Sequence, residues 1–179
     1  MTSRRGALRA PLFIAVVLVA LALSRCGTDG GSSEPSGPLS VHVTHVVDGD
    51  TIDVALPDGS EETVRYIGID TPETVKPDTA VQCGGPQAHA VNDRLVAGRT
   101  VTLRFDAERR DVYGRLLAYV YLPRPAPARR PLFVNAELVR RGLARTLTIP
   151  PNDSFAPLFA RLAARAGASG RGLWGHCSL

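Results

Sequence analysis

Between residues 41 and 69 three β-rich runs follow one another with barely enough chain between them to turn, and no other feature limits the fold as much. Val41, Val43, Val46 and Val47 lead through Asp48-Gly49 into Thr51-Ile52-Asp53-Val54-Ala55-Leu56. Pro57-Asp58-Gly59-Ser60 is a turn cluster, and 63–69 is the third run. The stretch reads as a three-strand meander. Downstream the period changes: Ala88, Val91, Leu95 and Val96 share one helical face over 87–96, with Pro86 at its start and Gly98 at its end. Strands are expected over 100–105 and 116–122, separated from a short helix over 133–141 by a Pro/Arg loop at 123–131. A last helix is expected to run to about Ala166, capped by Asp153 or Ser154, with Pro157 tolerated in its first turn. Five short strands and about three helices suit an α+β, mainly β class: a five-stranded Greek-key barrel of the OB-fold type.

The first 26 residues stand outside this pattern. Arg4, Arg5 and Arg9 precede an apolar stretch from Pro11 to Leu23. That stretch is too short for a comfortable membrane span and suits a signal peptide, with an uncleaved anchor as the alternative. Residues 27–38, rich in Gly, Ser, Pro and acid, read as a flexible linker, which leaves 39–179 as the folded domain. Cys26 sits where a lipoprotein cysteine would, yet follows Arg25 rather than a small residue. Lipidation of Cys26 and cleavage near Ala22 or Ser24 both stay open. Either way the expected location is extracellular, secreted or tethered to the outer face of the membrane, with membrane contact only through this segment or its lipid. Outside the cytoplasm an even pair of cysteines normally oxidises, so a Cys83–Cys177 disulfide is expected.

Export changes the meaning of the charge. The whole chain carries a formal +4, but four arginines precede Gly27, and residues 27–179 hold 17 basic and 17 acidic side chains. Overall charge therefore does not indicate a nucleic-acid partner. Its distribution says more: 27–98 has 3 basic and 12 acidic residues, while 99–179 has 14 and 5. Such a chain can set a cation site beside a phosphate-binding surface, unless the charges simply interleave in solvent on folding.

Four clusters carry side chains that suit chemistry, and each also has a structural reading. Asp48-Gly49-Asp50-Thr51 is a turn that can also offer hard oxygen ligands, although an EF-hand loop is excluded by its spacing. In Arg65-Tyr66-Ile67-Gly68-Ile69-Asp70-Thr71-Pro72-Glu73, Arg65 shares a strand face with Ile67, where a core residue is expected. An inward arginine needs an anionic partner. Asp111-Val112-Tyr113-Gly114-Arg115 puts Arg115 at a strand start, from which a guanidinium can grip a phosphate. Asn135 to Ala144 reads as an amphipathic helix with a glycine stop. His42, His45, His89 and His176 show no metal-ligand spacing and are expected to have no catalytic role.

Taken together, VVDGDT, RYIGIDTPE, DVYGRLLAYVY and VNAELVRRGLA, in this order and at these intervals, resemble the thermonuclease (staphylococcal-nuclease-like) family over about residues 41 to 176. The closing GLWGHC, with Cys83 before Gly-Gly-Pro, looks like its exported, disulfide-bearing branch. The resemblance implies a calcium ion (Ca2+) bound by Asp50, Asp70 and the backbone carbonyl of Thr71, with Asp48 shaping the site. It implies catalytic Arg65, Glu73 and Arg115, and a substrate contact at Tyr113. The implied activity is endonucleolytic hydrolysis of DNA and RNA leaving 3′-phosphates, by a monomer. The alternative is a barrel that binds nucleic acid without cutting it. One departure stands out: after the Gly-Leu-Ala block, where the family's best-known members carry tyrosines, this chain has Arg145-Thr146-Leu147-Thr148-Ile149.

Overall fold

A computed structural model describes residues 37–74, 80–124 and 130–177. The export segment, Cys26, most of the linker and the centre of the Pro/Arg loop lie outside these residues. Five strands close into a barrel: β1 (Leu39–Val46), β2 (Thr51–Ala55), β3 (Glu61–Tyr66), and then β5 (Thr100–Arg104) and β6 (Leu116–Leu122) after one helix. The expected meander forms, with β1 antiparallel to β2 and β2 to β3. β5 pairs with both β1 and β6, and β6 closes the barrel against β3 in the one parallel pairing of the five. β1 pairs with β5 along one edge and β2 along the other, and its register against β2 shifts between Val43 and His45. A bulge of this kind bends a strand, so its first half follows β5 and its second half β2.

Alternation of side chains fills the interior. Val41, Val43, Val54, Val64, Leu103, Ala118 and Val120 are all buried. The helix α1 (Gly85–Val96) covers one side with Ala88, Val91 and Val96, and starts with Pro86 as expected. A helix α2 (Val134–Arg140) follows the two-residue strand β7 (Leu132–Phe133), which adds to β6. The helix α3 (Ala156–Ala168) packs Phe159 into a cluster with Tyr119, Phe133 and Phe155. A final turn α4 (Leu173–His176) ends at Cys177, which is bonded to Cys83. The class is as expected, a mainly β OB-type barrel with three helices and one short terminal turn among the described residues.

Three details differ from expectation. The run 63–69 is not one strand: it breaks at Ile67, and β4 (Gly68–Asp70) leaves the barrel to pair with β8 (Arg145–Leu147). The break has a physical cause. Gly68 has φ +80°, and a Cβ there would collide with the Phe159 ring, so only glycine lets the chain turn against α3. As a second difference, no side chain caps α3. Ser154 instead gives both its hydroxyl and its N–H to Asp106, at 2.9 and 3.2 Å. Third, Arg65 does not replace a core residue. Val64 and Tyr66 take the buried side of β3, and Arg65 stands on the other.

Candidate functional site

The break after Tyr66 creates the site. β2 starts directly after Asp50, and β4 ends at Asp70. Both carboxylates meet the guanidinium of Arg65, whose Nη1 lies 2.8 Å from Asp50 Oδ2 and whose Nη2 lies 2.9 Å from Asp70 Oδ1. Nη1 also donates to the carbonyl of Ile69 at 3.1 Å. Arg65 thus has the anionic partners that its partial burial demands. Asp50 accepts the N–H of Thr71 at 2.7 Å, which ties the β4 exit to the β2 entry. Asp48 joins that network only through Asp50. Its Oδ1 accepts the N–H of Asp50 at 3.0 Å and so shapes the turn.

Burial dominates at Asp50. It raises the carboxyl, Arg65 pulls it back and Asp48 adds to the upward push, and the balance leaves it raised to about 7. Asp70 is different: its side chain is 54% exposed and faces solvent. The turn between them tolerates little. A Cβ on Gly49 would lie 2.7 Å from Thr71 Oγ1 and 2.8 Å from Ala88 Cβ.

Glu73 follows three residues after Asp70 and is clasped by the chain before α1. Its N–H donates to Gln82 Oε1 at 3.1 Å, and its carbonyl accepts the N–H of Gln82 at 3.0 Å. Gly85, the first residue of α1, comes so close that a Cβ would sit 3.0 Å from the Pro72 and Glu73 carbonyls. Arg115 enters from the neighbouring strand. Across the parallel pair Arg65 faces Leu117, two residues beyond Arg115. Asp111 organises the turn: one oxygen accepts the N–H groups of Tyr113 and Arg115, and the other takes Arg115 Nε at 2.7 Å. The far end of that guanidinium is left to other partners. Tyr113, 81% exposed, has its ring centroid 5.5 Å from Arg115 Cζ.

Sequence reasoning named the charged members but missed their supports. Asp111 was legible as an acid opening a turn, two residues before Tyr113. Gln82 had no local signal, because its partner is nine residues away. The same is true of Asn92, which accepts from the Tyr66 hydroxyl at 3.0 Å and donates to the Asp48 carbonyl at 3.0 Å. Asn135 looked like an ordinary helical residue, yet it is buried and binds the Val120 N–H and the Ile67 carbonyl.

Could these residues hold a cation? Asp50, Asp70 and the Thr71 backbone come together, every donor is oxygen, and Thr71 Oγ1 is buried without a hydrogen-bond partner among the described residues. That donor set fits a hard cation such as calcium rather than zinc. Among the described residues no three His, Cys, Asp or Glu side chains form a metal cluster. Two carboxylates, a carbonyl and water would have to suffice.

Residues 63–176 match the family model described as staphylococcal nuclease homologue. The chain is 37% identical over 166 residues to the thermonuclease of Staphylococcus intermedius, covering 91% of this chain and 94% of that protein. It is 32% identical over 170 residues to the thermonuclease of Staphylococcus hyicus, covering 92% and 96%. Endonuclease YncB of Bacillus subtilis is 41% identical over 123 residues, 68% of this chain and 54% of that protein.

Proposed function

The chain belongs to the staphylococcal nuclease homologue family, and from that premise we propose that it is an exported, calcium-dependent endonuclease that hydrolyses DNA and RNA. The observation that carries the proposal is the single guanidinium of Arg65 spanning Asp50 and Asp70, with Arg115 held by Asp111 on the adjacent strand. Two fixed cations beside two carboxylates suit an anionic ester that must be both gripped and attacked by water.

Asp50, Asp70 and the Thr71 carbonyl are the residues that would hold calcium. When bound, the ion supplies a Lewis acid for a phosphate oxygen and a binding position for water. Glu73 accepts the proton of the attacking water or orients it, its backbone fixed by Gln82. As the water oxygen bonds to phosphorus, the bond to the 5′-oxygen breaks, that oxygen takes a proton from solvent water to leave as a hydroxyl, and the 3′-phosphate remains. Arg65 and Arg115 stabilise the charge that builds on the phosphoryl oxygens, each worth about 3–4 kcal/mol of barrier. Their role is electrostatic, since a guanidinium holds its proton too tightly to be a good donor. The exposed ring of Tyr113 lies against the substrate. The protein acts as a monomer outside the cell, and its only membrane contact is through the N-terminal segment or a lipid on Cys26.

Degradation of single-stranded DNA by the purified protein tests this directly. Cleavage should require calcium, stop in EGTA, and fall severely in Glu73→Ser. A folded protein that binds DNA but cuts nothing at any calcium concentration would overturn the proposal in favour of a binding module.

A further inference from the structure

A second feature suited to anions lies away from these strand ends. Arg140 of α2, Leu162, Arg165 and Ala168 of α3, Ser169 at its end, and Arg171 beyond it line one groove of about 510 Å3. No acid is among these lining residues. Arg140 meets Glu137, but that one carboxylate is shared: it takes Arg140 at 2.6 and 2.8 Å and Arg141 at 2.7 Å. Two guanidiniums on one carboxylate already leave surplus positive charge. Arg165 and Arg171 add to it, and neither forms an ion pair among the described residues.

The ordinary reason for a cation here covers only part of this. A basic residue in the last turn of a helix offsets its negative end, which amounts to about half a charge. Arg165 does that for α3, and Arg140 does it for α2, where it also pairs with Glu137. Arg171 lies in neither helix, and its backbone is fixed. Its N–H reaches the Ala166 carbonyl at 3.0 Å, and its own carbonyl accepts the N–H of Trp174 at 3.1 Å. Arginine forks pair with phosphate oxygens, and the apolar stretch of Leu162 and Ala168 can take a sugar face between phosphates.

We infer that this groove binds the phosphate backbone of the polynucleotide several nucleotides from the scissile bond. The inference rests on the nuclease reading above and adds to it a substrate contact outside the cleavage site. The spacing suits it. Phe159 of α3 lies against Gly68, two residues from Asp70. From Phe159 to Arg165 and Ser169 the helix advances about 9 to 15 Å at 1.5 Å per residue. A strand advancing at least about 3.4 Å per nucleotide covers that in a handful of nucleotides.

The test is equilibrium binding of fluorescent (dT)3 and (dT)20 to the full chain in EDTA, titrated with salt. The wild type is compared with Arg165→Ala/Arg171→Ala and with the double lysine variant; both sites are exposed and outside the cleavage site. The alanine variant should bind the 20-mer about tenfold more weakly, with a salt slope shallower by about 1.4 for two lost phosphate contacts. It should bind the trimer, and hydrolyse it in calcium, like the wild type, and the lysine variant should bind the 20-mer nearly as well. Unchanged 20-mer affinity and slope, equal weakening on both lengths, or a wild type that leaves the 20-mer unbound would each overturn the assignment. So would loss of binding to phosphatidylglycerol vesicles with oligonucleotide binding intact, which would give the groove to a membrane. A wild type that binds the 20-mer through these arginines yet cuts nothing would overturn the nuclease reading and leave the groove standing.

Discussion

Arg65 and Arg115 have the same proposed role, but their surroundings make them unequal. Arg65 is the partner of a buried carboxylate, and its side chain is only 15% exposed. Arg65→Ala leaves Asp50 without its counter-charge, so it should cost about 3 kcal/mol of stability as well as turnover. Arg115 leans on a surface turn, and Arg115→Ala should lose turnover while its urea denaturation midpoint stays near that of the wild type. Equal midpoints for the two variants would refute the distinction. Gly49 is the third case. Gly49→Ala would push a methyl group into Thr71 and Ala88, and calcium titration should show weakened binding even though no ligand has been removed.

At the level of elements, the break between β3 and β4 sets the position of Asp70 and Thr71. Gly68→Ala forces a side chain into both a left-handed backbone and the Phe159 ring. It should destabilise the protein by at least about 2 kcal/mol and depress activity with it, as thermal unfolding and DNA cleavage would reveal. Asp106 links elements in another way, joining the Tyr119 hydroxyl of β6 at 2.7 Å to Ser154 before α3. Burial raises its carboxyl, but the hydrogen bonds from Tyr119 and Ser154 outweigh that and hold it below the ordinary carboxylate range. A depressed acid stabilises the fold above its unfolded value, about 4, and that contribution disappears as pH falls through the lower folded value. Asp106→Asn should therefore melt lower than the wild type at pH 7, and the gap should close in acid. A gap that persists at pH 2 would show that the carboxylate charge is not what matters.

For the whole molecule, the Cys83–Cys177 bond fastens the C-terminal turn to the chain just before α1, across 94 residues of sequence. Chain-entropy arguments value such a closure at about 4 to 5 kcal/mol. Replacing both cysteines by serine should lower the denaturation midpoint by a corresponding amount. Because Cys83 follows Gln82, which clasps Glu73, activity should also become more temperature-sensitive than global unfolding. Parallel melting and inactivation curves would contradict that coupling.

How much of this the sequence held depends on the range of the interaction. The meander, α1 with its Pro86, the class of the fold and the charged members of the site were legible because alternation, helical period, turn residues and short motifs are local properties. β8 was not: Arg145 to Leu147 has no buried residue and no alternating pattern, and it is a strand only because β4 lies beside it. Arg65 was rightly expected to need an anion, but its face was misjudged, because the run was read straight through a glycine that bends only against Phe159. Asp153 or Ser154 was expected to cap the last helix, but neither side chain does, and a carboxylate 48 residues away takes Ser154 instead. Composition and local pattern account for the side chains present, the order of the elements and a family of chemistry. That Asp50 and Asp70 share one guanidinium, that Gln82 holds Glu73, and that three arginines from three segments border one groove came from packing in three dimensions. Those outcomes depend on residues far apart in the chain, and nothing local to any of them records where its partner will be.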